Sequence, residues 1–262
     1  MLTEQTYEVY AIRYAHRVAP RHSMFLGFVE RPDEPMAMDY FTWLAVSPTH
    51  TVGIDTGFTR ETAARLQRDY IASPLDTMRR LGVQPEDVSH VVVTHFHYDH
   101  AGNVEQFPNA RIVLQREEMA YWTGPYAGRT AQHGQPARDF TYLVEANLAG
   151  KVQWVDGDAE IAPGVSVHLV RGHTAGMQVV RVATASGPLV LASDASHYYE
   201  NIEHDRPFRA VHTVPLMYAA FDRVKELAGG RLDRVVPGHD PLVMERYPAA
   251  ADDLRGLVVK LA

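Results

Sequence analysis

Cysteine is absent from all 262 residues, which excludes a disulfide framework, a thiolate metal ligand and a cysteine nucleophile. Any metal site in this chain is built from nitrogen and oxygen. No apolar run approaches the length needed to span a bilayer, and the N-terminus lacks the basic start and apolar stretch of a secretory signal. The expectation is a soluble cytoplasmic protein with no membrane partner. Positive charge is also scarce: 25 Lys and Arg against 32 Asp and Glu leave a formal charge of −7. That balance gives no electrostatic footprint for nucleic acid, so no nucleic-acid partner is expected. Internal repeats, low-complexity tracts and flexible linkers are missing too. With 46% apolar residues the chain is long enough for one large α/β domain with a substantial core, and residues 1–262 are read as a single domain.

What the chain does have is histidine in a telling place. Thr94-His95-Phe96-His97-Tyr98-Asp99-His100-Ala101-Gly102-Asn103 follows directly on an apolar strand. Imidazole and carboxylate hold zinc, iron, cobalt or manganese. In extended chain His95 and His97 lie two apart and point the same way, so both reach one ion. Asp99 and His100 fall after the turn, where Ala101-Gly102-Asn103 is expected to open a helix, and they aim at a second ion. A surface histidine cluster is the plainer alternative. It does not account for a strand, a ligand turn and a Gly-containing helix start occurring together.

One loop cannot close a two-metal site, so further ligands come from other strand exits. His173 sits in the glycine-bracketed Arg171-Gly172-His173-Thr174-Ala175-Gly176, after the strand 165–170. Asp194 follows the strand 189–191, and His239 follows Val235-Val236-Pro237-Gly238. Taken singly, each is better explained by ordinary hydrogen bonding or a solvated face. Their order and shared position argue otherwise.

With these residues in view, the chain resembles the metallo-β-lactamase fold hydrolases, whose His-x-His-x-Asp-His, later His, Asp and final His occur here in the family's order over most of the chain. The resemblance implies that His95, His97 and His173 hold one metal. Asp99, His100 and His239 would hold the second, with Asp194 bridging. It also implies that Asp55, in Val52-Gly53-Ile54-Asp55-Thr56-Gly57, supports a ligand histidine by accepting its free ring N–H; a chemically silent Asp-Thr-Gly turn is the alternative. Two divalent metals per chain follow, zinc by default, with iron, cobalt and manganese also suited to the donors.

The wider pattern agrees with that family. Residues 7–14, 40–46, 51–55, 91–93 and 111–114 read as strands, Ser73-Pro74 starts a helix to about residue 81, and Gln115 starts another to Trp122. Residues 123–150, interrupted by Gly124-Pro125, Gly128, Gly134 and Pro136, read as an insertion with some helix that walls the substrate. Residues 152–155, 165–170, 177–183 and 189–191 are further strands, and 213–227 has helical periodicity. The fold class expected is α/β, a four-layer αβ/βα sandwich with the metals at one edge.

Two adjacent cations imply hydrolysis. Water between them loses its proton near neutral pH and becomes the nucleophile, while the metals polarise the electrophilic oxygen and steady the leaving oxygen. Asp99 orients that nucleophile and carries a proton to the leaving group. Ser193 and Ser196 shape the turn around Asp194. Within the superfamily the chain is most similar to the N-acyl-homoserine-lactone lactonases, which implies a lactone as the small-molecule substrate and a quorum-quenching activity. Those enzymes commonly carry a substrate-contacting tyrosine three residues after the bridging aspartate. Here that position is His197, followed by Tyr198 and Tyr199. Three readings stay open: Tyr198 replaces the tyrosine, His197 donates the hydrogen bond itself, or the substrate is not an acyl-homoserine lactone.

Rival activities are thinned by what is missing. A glyoxalase II type thioesterase needs more chain after the last histidine, typical metallo-β-lactamases lack the carboxylate that Asp194 supplies, and diiron flavoproteins place a glutamate where His97 stands. Hydrolysis of another cyclic ester, or of a cyclic amide or imide, is the main alternative. A non-catalytic metal- or ligand-binding protein is the alternative of a different class.

The apolar segment His22-Ser23-Met24-Phe25-Leu26-Gly27-Phe28-Val29 reads as a core strand, or as a loop presenting Met24, Phe25 and Phe28 to an acyl chain or a second subunit. Tyr121 and Trp122 would line the opposite side, or belong to a helix core. A homodimer fits the base rate for soluble enzymes. His16, His22, His50, His90, His133, His168, His204 and His212 have no motif partner and are taken as ordinary surface or core residues, His133 in the insertion being the one exception to watch. Asp252-Asp253 reads as a solvated helix start.

Overall fold

The computed structural model describes residues 5–130 and 137–262. Strands β1 (Glu8–Pro20), β2 (Pro35–Val46), β3 (Thr51–Ile54), β4 (Asp69–Tyr70), β5 (His90–Val92), β6 (Arg111–Gln115) and β7 (Val152–Val155) belong to one sheet, together with a late strand near the C-terminus. Strands β8 (Ala159–Ala162), β9 (Val165–Leu169), β10 (Gln178–Thr184), β11 (Gly187–Ser193) and β12 (Val235–Pro237) make the other, and the late strand is β13 (Val258–Lys260). The first sheet runs β13-β1-β2-β3-β5-β6-β7 with β4 on β1, and the second runs β12-β11-β10-β9-β8.

Alternation along the strands explains why the sheets face each other and also carry helices outside. Val9, Ala11, Trp43, Val92 and Val113 from the first sheet meet Val167, Val180, Leu189, Leu191 and Val236 from the second in one inner core. Their neighbours point outward. Ile12, Leu44, Val91, Ile112 and Leu114 pack under the helices Pro74–Arg80, Arg116–Trp122 and Ala137–Leu148. Val179, Val190, Ala192 and Val235 pack under Val214–Leu227, whose buried Met217, Ala220, Phe221 and Val224 recur at helical spacing. The result is the four-layer αβ/βα sandwich. Among the described residues no helix is long and apolar enough to cross a membrane.

The site follows from strand direction. β3 and β5 run parallel, as do β11 and β12, so their C-terminal ends open on one edge, where irregular loops can carry function. There the sequence reading needs correction. The helix of the histidine motif is Tyr98–Ala101 itself, and Gly102 ends it rather than opening it. A Cβ at Gly102 would lie 2.7 Å from the Gly57 carbonyl oxygen, so the approach of two backbones sets the stop. Residues 22–29 are not a core strand. A 3-10 turn, Arg21–Ser23, lets Met24 and Phe25 drop into a cluster with Tyr14, Tyr40 and Tyr198, while Phe28 stays exposed. In the insertion the described parts include Ala127–Thr130 and Ala137–Leu148, whereas His133, Gly134 and Pro136 lie outside the described residues. Strands β8 and β13 have no counterpart in the sequence reading, each being only three or four residues long.

Candidate metal centre and substrate cavity

Loops at the ends of β5, β9, β11 and β12 bring the seven anticipated residues together. His95, His97, His173 and Asp194 form one group and Asp99, His100 and His239 another, each with its donor atoms within 4.8 Å of one another. In the first, His173 Nε2 lies 3.1 Å from His95 Nε2 and 2.8 Å from His97 Nδ1, and His95 Nε2 lies 3.1 Å from His97 Nδ1. Asp194 faces both groups. Its Oδ2 is 3.2 Å from His173 Nε2, and its Oδ1 is 3.3 Å from His100 Nε2 and 3.0 Å from His239 Nε2.

Hydrogen bonds behind the rings fix which nitrogen faces inward. His173 Nδ1 is 2.6 Å from the Ala210 carbonyl and His239 Nδ1 is 2.8 Å from the Asp39 carbonyl. A carbonyl only accepts, so both Nδ1 atoms donate and both Nε2 atoms present lone pairs. His100 Nδ1 likewise donates to Asp55 Oδ2 at 2.7 Å. That leaves acceptors facing acceptors: His100 Nε2 and Asp194 Oδ1 are buried with no hydrogen-bond partner. An orphaned, all-acceptor cluster of this kind is costly unless a cation fills it. The donor set therefore fits two divalent metal ions.

Proton affinities carry the same tension. Burial, then the neighbouring His173, pushes His97 down to about 3. Burial likewise takes His173 to about 3, against the pull of Asp194. Burial also opposes charge on His100, but Asp194, Asp99 and Asp55 together hold it well above the ordinary imidazole range.

Two buried carboxylates organise the ligands from behind. Asp55, in the left-handed region at φ 56°, accepts from the Thr94 amide and hydroxyl at 2.8 Å each and from Ser193 Oγ at 3.1 Å, besides His100. This is the supporting aspartate that the resemblance implied, joining the ends of β3, β5 and β11. Glu118 was not anticipated. Fully buried, it accepts from the Phe96 amide (2.9 Å), Trp122 Nε1 (2.8 Å), Thr174 Oγ1 (2.7 Å) and the Gly176 amide (2.8 Å). It ties the His95–His97 segment to the His173 loop. In the sequence it reads only as an acidic residue in a first helical turn, a common electrostatic preference with no site attached.

The two candidate ligand groups open on a cavity of about 510 Å³, lined in part by Tyr121, Trp122 and His197. Trp122 also packs in the core beneath, so both sequence readings of it hold. His212, treated as ordinary, lines the cavity and meets Tyr121 edge-on at 5.1 Å. Met24, Phe25 and Phe28 do not line it; instead of the apolar wall expected from them, Met24 and Phe25 join a buried cluster and Phe28 is exposed. Tyr198 is turned away as well. Its ring is buried against Phe25 and its hydroxyl donates to the Ala37 carbonyl at 3.1 Å, so it does not take the place of the missing tyrosine. His197 does face the cavity, stacked on Phe208 at 3.5 Å, with Nε2 2.8 Å from Asp194 Oδ2. With Nε2 donating to that carboxylate, Nδ1 of the neutral ring is an acceptor, the reverse of the donor role anticipated.

Residues 39–239 match the family model of the metallo-beta-lactamase superfamily. An N-acyl homoserine lactonase from a Bacillus species is 34% identical over 170 residues, covering 63% of this chain and 61% of that protein. The chain thus spans about three fifths of the length of the curated relatives it matches. A solved quorum-quenching N-acyl homoserine lactone hydrolase superposes with a TM-score of 0.76 at 23% identity, over 94% of this chain and 98% of that one. AidC, a dizinc quorum-quenching lactonase, does so with a TM-score of 0.69 at 18% identity, over 91% and 92%. At such identities the superpositions establish the fold.

Proposed function

The chain belongs to the metallo-beta-lactamase superfamily, and from that premise we propose that it is a two-metal hydrolase that opens a lactone ring. The observation that carries this is Asp194, which offers one carboxylate oxygen to each of two acceptor-only groups. His95, His97 and His173 would hold one ion and Asp99, His100 and His239 the other. We assign zinc, on the nitrogen-rich donors and the dizinc relative AidC; iron, cobalt and manganese suit the same ligands. When bound, such a pair makes water a nucleophile near neutral pH and polarises the ester carbonyl.

The chain's own residues do the rest. Asp99 Oδ2 lies between His100 and His239 on the cavity floor and moves the proton: it takes it from water and returns it to the ring oxygen as the acyl C–O bond breaks. Lactone and water leave as one hydroxy acid. His197, held flat on Phe208, accepts a hydrogen bond from a substrate N–H or hydroxyl and orients the ring. The bond cut follows the named activity of the relatives in the N-acyl homoserine lactonase group.

Purified, metal-quantified protein tested on acyl-homoserine lactones, simple γ- and δ-lactones, a cyclic imide and a β-lactam decides the matter. Lactone opening at about two metals per chain, abolished by chelation and restored by metal, is expected. Turnover of the imide but of no lactone, with both metals bound, would replace the ester with a cyclic amide. No turnover of any member would leave a binding protein.

A further inference from the structure

Arginine in this chain is usually paired. Arg13 meets Asp39, Arg171 meets Glu117, Arg206 meets Glu200 and Arg223 meets Asp158, as expected where 32 acidic residues outnumber 25 basic ones. The arginines of the substrate cavity are different. Arg17, Arg68 and Arg209 line it, and among the described residues none of them meets a carboxylate. Arg209 is exposed at the rim, with only the His22 carbonyl at 3.4 Å. Arg17 and Arg68 are half-buried, where an unspent guanidinium is harder to explain.

Arg17 leaves β1 opposite Met38, and among the described residues its side-chain hydrogen bonds go to thioethers alone: Nε to Met38 Sδ at 3.2 Å and Nη2 to Met24 Sδ at 3.9 Å. Sulfur is a weak acceptor, so its fork is nearly unused. Arg68 donates Nε to the Tyr98 hydroxyl at 3.3 Å and Nη1 to the Leu66 carbonyl at 2.7 Å and also meets the Tyr40 hydroxyl, so every partner of this guanidinium is uncharged. The Tyr98 hydroxyl lies 3.3 Å from that of Tyr40, whose ring stands edge-on to His239 at 5.2 Å. The arginines thus belong to the His239 side of the cavity. Among the described residues the only carboxylates lining it are Asp99 and Asp194, both already facing the candidate metal groups. A neutral acyl chain laid there would strip water from two guanidiniums and return nothing. A planar oxyanion would use both forks.

We propose that the substrate of this site carries an anionic group, a carboxylate or a phosphate, held by Arg17 and Arg68 beside the Tyr40 and Tyr98 hydroxyls. This rests on the lactone-opening proposal and narrows it to acidic lactones. The positive cavity in an otherwise acidic chain also draws such a substrate in against the overall charge.

The test uses γ-butyrolactones that bear a carboxylate, a phosphate or a neutral carboxamide at the end of the same methylene tether, with tethers of increasing length. Metal-loaded protein should open one of the anionic series with kcat/KM roughly a hundredfold above the carboxamide, and the better of the two anions names the group. Arg17→Gln and Arg68→Gln should each cut that ratio at least about tenfold, and Arg68→Lys should restore part of it. Equal handling of acid and amide by the unaltered protein, or variants that lower both substrates in proportion, would overturn the proposal and leave lactone opening intact. Calorimetric titration of the metal-loaded protein with the ring-opened acid and its monoamide reads the same preference without turnover. Arginine-dependent preference for the acid in a protein that opens no lactone would keep the anion site and sink the lactonase reading.

Discussion

Replacing Glu118 by alanine removes one side chain shared by four donors from separate segments. The Thr174 hydroxyl can rotate to another acceptor, but the amides of Phe96 and Gly176 and the Trp122 indole N–H cannot. Each buried donor left unpaired costs about 1–3 kcal/mol. The costs are not additive, because the vacated volume admits water that re-pairs some of them. About 3–5 kcal/mol in total is the expectation, the usual loss when a buried charged network is broken from one side. Against a total stability of about 5–15 kcal/mol, the variant folds but melts on the order of 10 °C lower. Glu118→Gln keeps one oxygen for Phe96 and Trp122 and turns its NH2 toward the Gly176 amide, which also donates, so about 1–3 kcal/mol is lost. Among the described residues no cation partners this carboxylate; burial raises its pKa against the four hydrogen bonds, so removing the charge is not itself the penalty. The functional consequence is local. Glu118 anchors the loops of His95, His97 and His173 but touches none of Asp99, His100 or His239, so the first metal should loosen by roughly 10–100-fold while the second holds. Calorimetric melting and metal retention against a competing chelator measure both effects. An alanine variant that melts within about 2 °C of the parent and keeps both metals equally would refute the reasoning.

Asp55→Asn leaves the carboxylate's shape but removes the acceptor that fixes the His100 tautomer; metal at the second group should weaken roughly 10–100-fold, and equal chelator resistance in parent and variant would contradict this. Asp99→Asn should retain most of its metal and lose about 10²–10⁴-fold in lactone turnover, whereas near-normal turnover would remove Asp99 from proton transfer. Asp139 is a control away from the metals. Burial raises its pKa to about 6, with Arg138 pulling the other way. A folded-state pKa above the unfolded one means that ionisation costs the folded state, so this group's contribution is most favourable below about pH 4 and is lost as pH rises through about 6. Asp139→Asn should therefore flatten the fall in melting temperature between those values, and an unaltered slope would show that the carboxyl ionises freely.

How much of this was legible in the sequence depended on whether the determining contacts were local. His95, His97, Asp99 and His100 were readable because six consecutive positions carry them, and His173, Asp194 and His239 because each leaves a strand at a glycine or small-residue turn. Glu118 was not, since its four partners come from segments that only the closed sandwich brings together. The 22–29 segment failed for a related reason: apolar composition signals burial, and it does not distinguish a strand from a 3-10 turn that drops two side chains into a neighbouring cluster.

Arg17 shows the limit most clearly. Strict alternation along β1 would assign every side chain from Glu8 onward to a face, but the register against β2 shifts between Arg13 and Ala15. A bulge of this kind moves all later residues to the opposite face. No residue in 8–20 announces it by being glycine or proline before the strand ends. Past the bulge Arg17 lies opposite Met38 and lines the cavity instead of sharing the inner face of Val9 and Ala11. The ligands proposed for the metals are thus written locally, and the charge proposed to choose the substrate depends on one residue of slippage in a strand that supplies none of those ligands.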